Sequence, residues 1–299
     1  MKRVCLVLVC LASVGAHASY EFMAVINNTK KSVDRYDPET GAFLGRIGEG
    51  ILVNPNEIIY TAQNRILVGD NFLTGLHTLY EFDASTGSVV RQFYNQTPWD
   101  LMGMAKIGNT LYATDFLGGT NTRLSSYNLT TGAWNGVIGI TFPSAVAWGL
   151  WSYGGQLWGG DSAGRVGTIN TTTGVFNEVY FGVVGQVTCG TTMTGLSFAG
   201  TSTGGVVVNN STSYLGSFGS GLTSVAGIAA GHTMMYASGS VAGGGSAIKR
   251  MSPITQITTG TIISTPDALG QIAVWNAPEP GTWLALGLGG LAVVRRRRA

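Results

Sequence analysis

The sequence predicts an all-β fold, a β-propeller of six blades that is closed by its C-terminal strand. Three observations lead to this prediction. A hairpin motif recurs at a nearly constant spacing, short apolar strands precede the hairpins at fixed distances, and the body shows no helical periodicity. Four-stranded units that repeat every 40 to 50 residues or so are typical of propeller blades.

The hairpin motif consists of an apolar-alternating strand, an Asp or Asn, two further residues, Thr-Gly, and a second strand. It is clearest in four segments: VDRYDPETGAFLGRI (33–47), LYEFDASTGSVVRQF (79–93), LSSYNLTTGAWNGVI (124–138) and VGTINTTTGVFNEVY (166–180). The motif threonines repeat at steps of 46, 45 and 42 residues: Thr40, Thr86, Thr131 and Thr173. The Asp or Asn side chain accepts hydrogen bonds from the turn amides, and Gly adopts a positive φ at little cost. Each motif therefore predicts a tight antiparallel hairpin.

Two shorter elements precede the hairpins. The nearer one reads NRILVGDNF (64–72), NTLYATDF (109–116), GQLWGGDS (155–162) and HTMMYASGS (232–240). The farther one reads LMGMAKI (101–107), VAWGLWSY (146–153) and VAGIAAG (225–231). Weaker hairpins at about 209–213 and 257–260 bring the number of units to six.

The first unit lacks the farther element, but LGQIAVWN (269–276), at the end of the body, resembles it. We expect this strand to complete the first blade, which would close the ring and remove two open edges. Because the fifth unit, at about 187–219, departs most from the template, five or seven blades remain open. A Gly-rich β-sandwich or β-helix is the competing fold.

The N-terminus has the three parts of a secretory signal peptide. Lys2 and Arg3 are followed by an apolar run from Val4 to Val14 and by an A-x-A-like site that ends at Ala18. Cleavage between Ala18 and Ser19 is expected. The predicted organisation is therefore a signal peptide at 1–18, a propeller domain at 19–276 and a C-terminal segment at 277–299.

The C-terminal segment reads APEPGTWLALGLGGLAVVRRRRA. Residues 281–294 are uncharged and short for a permanent membrane helix, and four arginines follow them. This order resembles the PEP-CTERM sorting signal of Gram-negative bacteria. The resemblance implies recognition by an exosortase, a membrane peptidase, with Pro278, Glu279 and Pro280 as the sorting motif. It also implies a transient transmembrane helix at 281–294 and cytoplasmic retention by a cluster of arginines: Arg295, Arg296, Arg297 and Arg298.

Charge and cysteine content exclude some classes of function. Residues 19–276 carry 11 Lys and Arg against 14 Asp and Glu, a net charge of −3, which argues against a nucleic-acid partner. After removal of the signal peptide Cys189 is the one cysteine left, so no intramolecular disulfide can form. We interpret it as a small packed residue.

The sequence offers little for catalysis. Gly160 to Gly164 match G-x-S-x-G, but the stretch aligns with turns of other units and does not predict a strand-to-helix elbow. Asp70, Asp115 and Asp161 recur at equivalent positions, where they are either weak candidates for a channel Ca²⁺ site or acceptors for neighbouring turns. We favour the second interpretation, because we expect Ser or Gly at this position in the fifth and sixth units.

These features predict an exported surface or extracellular-matrix protein, a non-enzymatic binding or structural propeller with no cofactor. Signal peptidase and an exosortase would process it, and a polysaccharide or a surface protein would bind it. A transient inner-membrane anchor would precede its release to the cell surface or the extracellular space. The alternative is a propeller hydrolase or lactonase with Ca²⁺ in its channel.

Overall fold

The computed structural model describes residues 22–62, 64–71, 77–94, 100–116, 122–142, 147–183, 185–210 and 212–275. Within these ranges the chain forms 24 strands, arranged as six antiparallel four-stranded sheets. The innermost strands of neighbouring sheets contact one another in a closed ring. The sheets are therefore the blades of a six-bladed β-propeller, which confirms the predicted fold class and blade number.

The strands of the first three blades follow one another from the centre of the ring to its rim. The first blade contains β24 (Leu269–Trp275), β1 (Phe22–Asn27), β2 (Ser32–Tyr36) and β3 (Phe43–Ile47). The second contains β4 (Pro55–Ala62), β5 (Arg65–Asn71), β6 (His77–Asp83) and β7 (Val89–Tyr94). The third contains β8 (Asp100–Ile107), β9 (Thr110–Phe116), β10 (Thr122–Asn128) and β11 (Trp134–Phe142).

The last three blades have the same order of strands. The fourth contains β12 (Ala147–Tyr153), β13 (Gln156–Asp161), β14 (Arg165–Ile169) and β15 (Phe176–Phe181). The fifth contains β16 (Val187–Met193), β17 (Leu196–Thr201), β18 (Gly205–Asn209) and β19 (Tyr214–Gly219). The sixth contains β20 (Ser224–Ala230), β21 (Met235–Ser240), β22 (Ser246–Ser252) and β23 (Ile257–Thr265).

The first blade is closed by the two ends of the described chain. Strand β24 pairs antiparallel with β1, with Phe22 opposite Trp275 and Asn27 opposite Leu269. The predicted role of the segment at 269–276 is therefore confirmed. The first and last strands leave no open edge at the centre of the ring.

The core consists of clusters between neighbouring blades, one at each junction, and no single central core is present among the described residues. Trp158, Phe82, Phe142 and Phe198 are fully buried in these clusters. Each blade is thus stabilised mainly by the faces of its two neighbours, which is why ring closure matters to the whole domain.

The turns between the third and fourth strands form one face of the propeller, which we call the turn face. In the first of these turns Asp37 Oδ1 accepts hydrogen bonds from the backbone N–H groups of Glu39 and Thr40, and Gly41 has a φ of 72°. The same acceptor role is filled in the next four blades by Asp83, Asn128, Asn170 and Asn210.

The predicted position of the sixth turn, at 257–260, is wrong. The turn joins Ser252 to Gln256, and Ile257 already belongs to β23. Ser252 Oγ accepts the N–H of Thr255 in place of an Asp or Asn, and Gln256 has the positive φ, 55°, that Gly has elsewhere. The Thr-Gly pair that suggested the turn lies within the outer strand.

The turn glycines also determine how closely neighbouring blades approach. A Cβ at Gly41 would lie 2.8 Å from the carbonyl oxygen of Ile262 in the sixth blade. A Cβ at Gly174 would lie 3.0 Å from the Cα of Gly139 in the third blade. Two further turn glycines face the outer strand of the preceding blade in the same way: Gly87 against Ile47 and Gly132 against Phe93. Glycine at these positions therefore allows neighbouring blades to pack closely, in addition to adopting the positive φ of the turn.

The outer strands are irregular in every blade. The pairing of each outer strand with its neighbour shifts register at a bulge, for example between Arg35 and Tyr36 in the first blade. Bulges twist an exposed edge and make it a poor template for another strand, so the rim is protected from edge-to-edge pairing.

Candidate functional site

The inner strands of all six blades line a central cavity of about 350 Å³. Small, hydroxyl-bearing and aliphatic residues dominate its wall, including Ile59, Leu150, Ser152, Thr191, Thr192, Ile228 and Ala230. Among the described residues that line the cavity, Glu57 has the only carboxyl group.

Glu57 is held in this central cavity, the channel of the propeller, by groups from both neighbouring blades. The Gln271 amide Nε2 donates to Glu57 Oε1 at 3.4 Å, and it also donates to the carbonyl oxygen of Thr188 in the fifth blade at 3.2 Å. The backbone N–H of Met104 donates to the carboxyl group from the other side. Burial raises the pKa of Glu57 well above its usual range, because removal from water disfavours the charged form. The arrangement favours a neutral acid that links inner strands.

Cys189 lies beside the channel but does not present a reactive thiol. Its side chain is buried in the cluster between the fifth and sixth blades, as expected for a packed residue. Burial raises the pKa of the thiol to about 12. The thiolate, which is the nucleophilic form, is therefore disfavoured at neutral pH.

Two of the recurring aspartates bind backbone amides of their own blade. Asp70 accepts hydrogen bonds from the N–H groups of Val53 and Asn54, in the loop that leads into β4. Asp161 accepts the N–H groups of Ala163 and Arg165, in the turn after β13. Burial raises the pKa of Asp70.

Asp115 binds side chains of its own blade: its Oδ2 accepts Arg123 Nε at 3.2 Å and Ser125 Oγ at 2.8 Å. The register of the inner two strands places Asn27, Asp70, Asp115, Asp161, Thr201 and Gly239 at one equivalent position. The expectation of Ser or Gly in the fifth blade is wrong, because Thr201 stands there. Its hydroxyl accepts the N–H of Gly205, again within the blade.

The G-x-S-x-G stretch lies where β13 turns back into β14. Gly164, with a φ of 78°, completes a turn between two antiparallel strands, and no helix follows. His232 lies in the turn between β20 and β21. In the part of the chain that the structure describes, no three His, Cys, Asp or Glu side chains are grouped so that they could hold a metal ion.

The turn face presents a repeated chemical pattern. Hydroxyl side chains of the turns are exposed in the first five blades: Thr40, Ser85, Thr86, Thr130, Thr131, Thr172, Thr173, Thr212 and Ser213. Exposed apolar side chains accompany them on the outer strands or in the turns of all six blades: Phe43, Val89, Val90, Val137, Val175, Tyr214, Leu215, Ile254 and Ile257. Such a rigid, mixed surface can make both hydrogen bonds and apolar contacts with a partner.

The junction between the fourth and fifth blades departs from the others. The fifth turn is two residues shorter than the first four and has no Gly at its end, so the glycine contact is missing there. Instead Tyr180 of β15 stacks on Tyr214 of β19, with ring centroids 4.3 Å apart and planes 9° apart. A cavity of about 110 Å³ lies beside the pair.

Sequence reasoning missed both Glu57 and the tyrosine pair. Glu57 follows a bulge in β4, and the side-chain direction of a residue after a bulge cannot be read from alternation alone. A usable signal existed for the tyrosines, because the fifth unit is the first to lose the Thr-Gly pair.

The predicted processing sites lie outside the described residues. This applies to Ala18 and Ser19, to Pro278, Glu279 and Pro280, and to Arg295, Arg296, Arg297 and Arg298. In the ranges that the structure describes, no helix is long and apolar enough to cross a membrane.

Comparison with protein families identifies the C-terminal segment. Residues 276–298 match the family described as the PEP-CTERM protein-sorting motif. The match confirms the resemblance found in the sequence, and it contains the Pro-Glu-Pro motif, the uncharged stretch and the arginine cluster. A PEP-CTERM motif implies that the protein is exported and that an exosortase, a membrane peptidase, processes it.

Comparison with solved structures concerns the propeller alone. One similar structure is the "Crystal structure of Nidogen/Laminin Complex", with a TM-score of 0.70, 12% identity, and coverage of 85% of this chain and 98% of that one. As 1348 solved chains match, the fold is widespread and does not by itself specify a function. No curated protein sequence matches the chain significantly.

Proposed function

We propose that the protein is a non-enzymatic surface or extracellular-matrix protein, whose propeller binds a polysaccharide or a surface protein through its turn face. The observation that carries the proposal is the repeated pattern of that face. Turns fixed by Asp and Asn side chains present exposed hydroxyl groups, with exposed apolar side chains beside them. A surface of this kind binds without needing to rearrange, which lowers the entropic cost of association.

The channel supports a structural role for the carboxyl group of Glu57. The Glu57 carboxyl interacts with Gln271 of the first blade and Met104 of the third, and these contacts support a role in linking the inner strands. The similar structure named for nidogen and laminin is a complex of two proteins, which is compatible with a binding role for such a propeller. At 12% identity this likeness adds support for the fold and little for the partner.

The sorting segment completes the proposal. Residues 281–294 hold the protein in the inner membrane for a limited time, with Arg295 to Arg298 on the cytoplasmic side. Cleavage near Pro278, Glu279 and Pro280 then releases the propeller to the cell surface or the extracellular space. The partners in this route are signal peptidase and an exosortase.

A binding experiment tests the role of the propeller. The exported protein is purified from its own culture and mixed with washed source cells, with the matrix polysaccharide extracted from them, and with protease-treated cells. Co-sedimentation that saturates at micromolar concentration or below supports the proposal, and the protease-treated sample separates a protein partner from a polysaccharide. The absence of saturable binding to any of the three would contradict it.

The enzyme alternative makes a different prediction about metal. A Ca²⁺-dependent lactonase or hydrolase would lose thermal stability when a chelator is added and regain it with Ca²⁺. A metal-independent binding propeller keeps the same thermal midpoint. If the midpoint falls with the chelator, Asp70, Asp115 and Asp161 are the first residues to replace.

A further inference from the structure

The junction between the fourth and fifth blades contains a cleft beside the stacked rings of Tyr180 and Tyr214. In four junctions an outer-strand residue contacts the turn glycine of the next blade, as Phe93 contacts Gly132. At the junction of the fifth and sixth blades Thr258 Oγ1 donates to the carbonyl oxygen of Gly219 at 3.1 Å. Tyr180 occupies the position that corresponds to Phe93, but it meets the ring of Tyr214.

The tyrosine pair is partly exposed to solvent. Tyr214 retains 38% of its surface area, although it stacks on Tyr180 over one face of its ring. Its main-chain neighbours fix its position, because Tyr214 is paired with Asn209 at the start of β19. The cleft therefore presents an aromatic side chain that is rigid and accessible at the same time.

The cavity beside the pair is uncharged. Its described lining residues carry no carboxylate, ammonium, guanidinium or imidazole group: Tyr180, Gly182, Val183, Thr201, Thr203, Gly205, Val207, Tyr214 and Ser217. Thr203 and Ser217 place hydroxyl groups at the cavity. An ionic ligand would lose its hydration here without meeting a counter-charge, so the lining selects against it.

A neutral sugar has the chemistry that matches this cleft. One face of a pyranose ring consists of C–H groups, which pack against an aromatic face, while its edge carries hydroxyl groups that donate and accept hydrogen bonds. A cavity of about 110 Å³ has room for a ring substituent or part of a ring, and the rest would lie on Tyr214.

We propose that the cleft formed by Tyr180, Tyr214 and Ser217 is a binding subsite for a residue of a neutral polysaccharide. The inference rests on the proposed function, since it names the class of partner and the place on the propeller where that partner binds.

Affinity gel electrophoresis tests the subsite with defined polymers. The purified exported protein is run through gels that contain dextran, galactomannan, hydroxyethyl cellulose or, as an anionic comparison, alginate. We expect retardation by at least one neutral polymer, and we expect Tyr214→Ala to weaken it at least tenfold. Tyr214→Phe, which keeps the ring, should bind as the wild type does. Trp148→Ala is the matched control, because Trp148 is an aromatic residue of nearly equal exposure, 37%, at the start of β12, away from the turn face.

A second variant keeps the test decisive if Tyr214→Ala fails to fold. Ser217 is exposed on β19, so Ser217→Arg should fold, and it places a charged side chain in the cleft. We expect the same loss of binding. Equal retardation of the wild type and both cleft variants would overturn the subsite and leave the proposed function standing. Binding to source cells without retardation by any neutral polymer would have the same meaning. Failure to bind cells or matrix at all would instead refute the proposed function.

Discussion

The role of the turn glycines at the blade junctions can be tested with a matched pair of substitutions. Gly41 and Gly132 occupy the same position of the same type of turn, with φ values of 72° and 75°. A Cβ at Gly132 would meet the ring of Phe93 at 3.5 Å, which is ordinary van der Waals contact. A Cβ at Gly41 would lie 2.7 Å from Ile262 Cγ2 and 2.8 Å from the carbonyl oxygen of the same residue, so the sixth blade must move.

The expected destabilisation follows from these distances. Gly132→Ala adds the strain of a left-handed backbone, about 1–2 kcal/mol. Gly41→Ala adds the same strain and an overpacking cost of about 1–3 kcal/mol. For a domain of this size 1 kcal/mol corresponds to roughly 2–4 °C in the thermal midpoint. Gly41→Ala should therefore melt several degrees below Gly132→Ala, which itself melts below the wild type.

Thermal unfolding followed by far-ultraviolet circular dichroism measures the difference, at one protein concentration and one scan rate. Both variants should retain the wild-type spectrum at low temperature, because each blade keeps its hydrogen bonds. Equal midpoints for the two variants would refute the reasoning. They would mean that the junction tolerates a methyl group and that glycine is needed only for the positive φ of the turn.

Three further predictions concern closure, the channel and the tail. Deletion of residues 269–276 removes β24 and exposes β1 and the inner faces of two blades, so it should cause aggregation or a large fall in the thermal midpoint; an unchanged midpoint would contradict the pairing of β24 with β1. Because the pKa of Glu57 is raised above its usual 4.5 in the folded protein, the folded state holds a proton that the unfolded state releases, and stability falls as pH rises above that value. Glu57→Gln should flatten this decline in urea titrations between pH 4.5 and 8, and an identical slope in both proteins would argue against a buried neutral acid. Replacement of Pro278, Glu279 and Pro280 by alanine should leave an uncleaved protein in the membrane fraction, whereas mass spectrometry of the wild type should find no peptide that ends in VVRRRRA; recovery of that peptide from cells with a working exosortase would refute the sorting hypothesis.

The architecture could be predicted because each blade repeats local chemistry. An Asp or Asn followed by Thr-Gly three and four residues later marks the turn in the first four blades, and the alternation of apolar residues marks the strands on either side. Even the closing strand could be identified, because LGQIAVWN resembles the inner strands of the other blades. The sixth turn was misplaced because Ser252 and Gln256 adopt the same conformation with different side chains, and sequence patterns detect residue types better than backbone angles.

The candidate sites were harder to predict because they depend on contacts between blades. Gln271 and Glu57 lie 214 positions apart in the chain and meet only when the ring closes. The stacking of Tyr180 on Tyr214 likewise depends on how far the fifth blade stands from the fourth. By contrast, the sorting segment is read as a linear signal, so its motif could be recognised without any knowledge of the fold.

The pairing of Phe22 with Trp275 has a consequence for the orientation of the protein during export. Strand β24 ends, and β1 begins, at the turn face, so the sorting segment leaves the propeller on that side. Between Trp275 and Gly281 an extended chain spans about 20 Å at most, which is less than the width of a propeller. With residues 281–294 in the bilayer, as the proposed route has them, the turn face would be held toward the membrane before cleavage, and large polymers would reach it only from the side. On the same route, cleavage by the exosortase would uncover this face at the moment of release, so the proposed binding would become fully possible only after the protein has left the membrane.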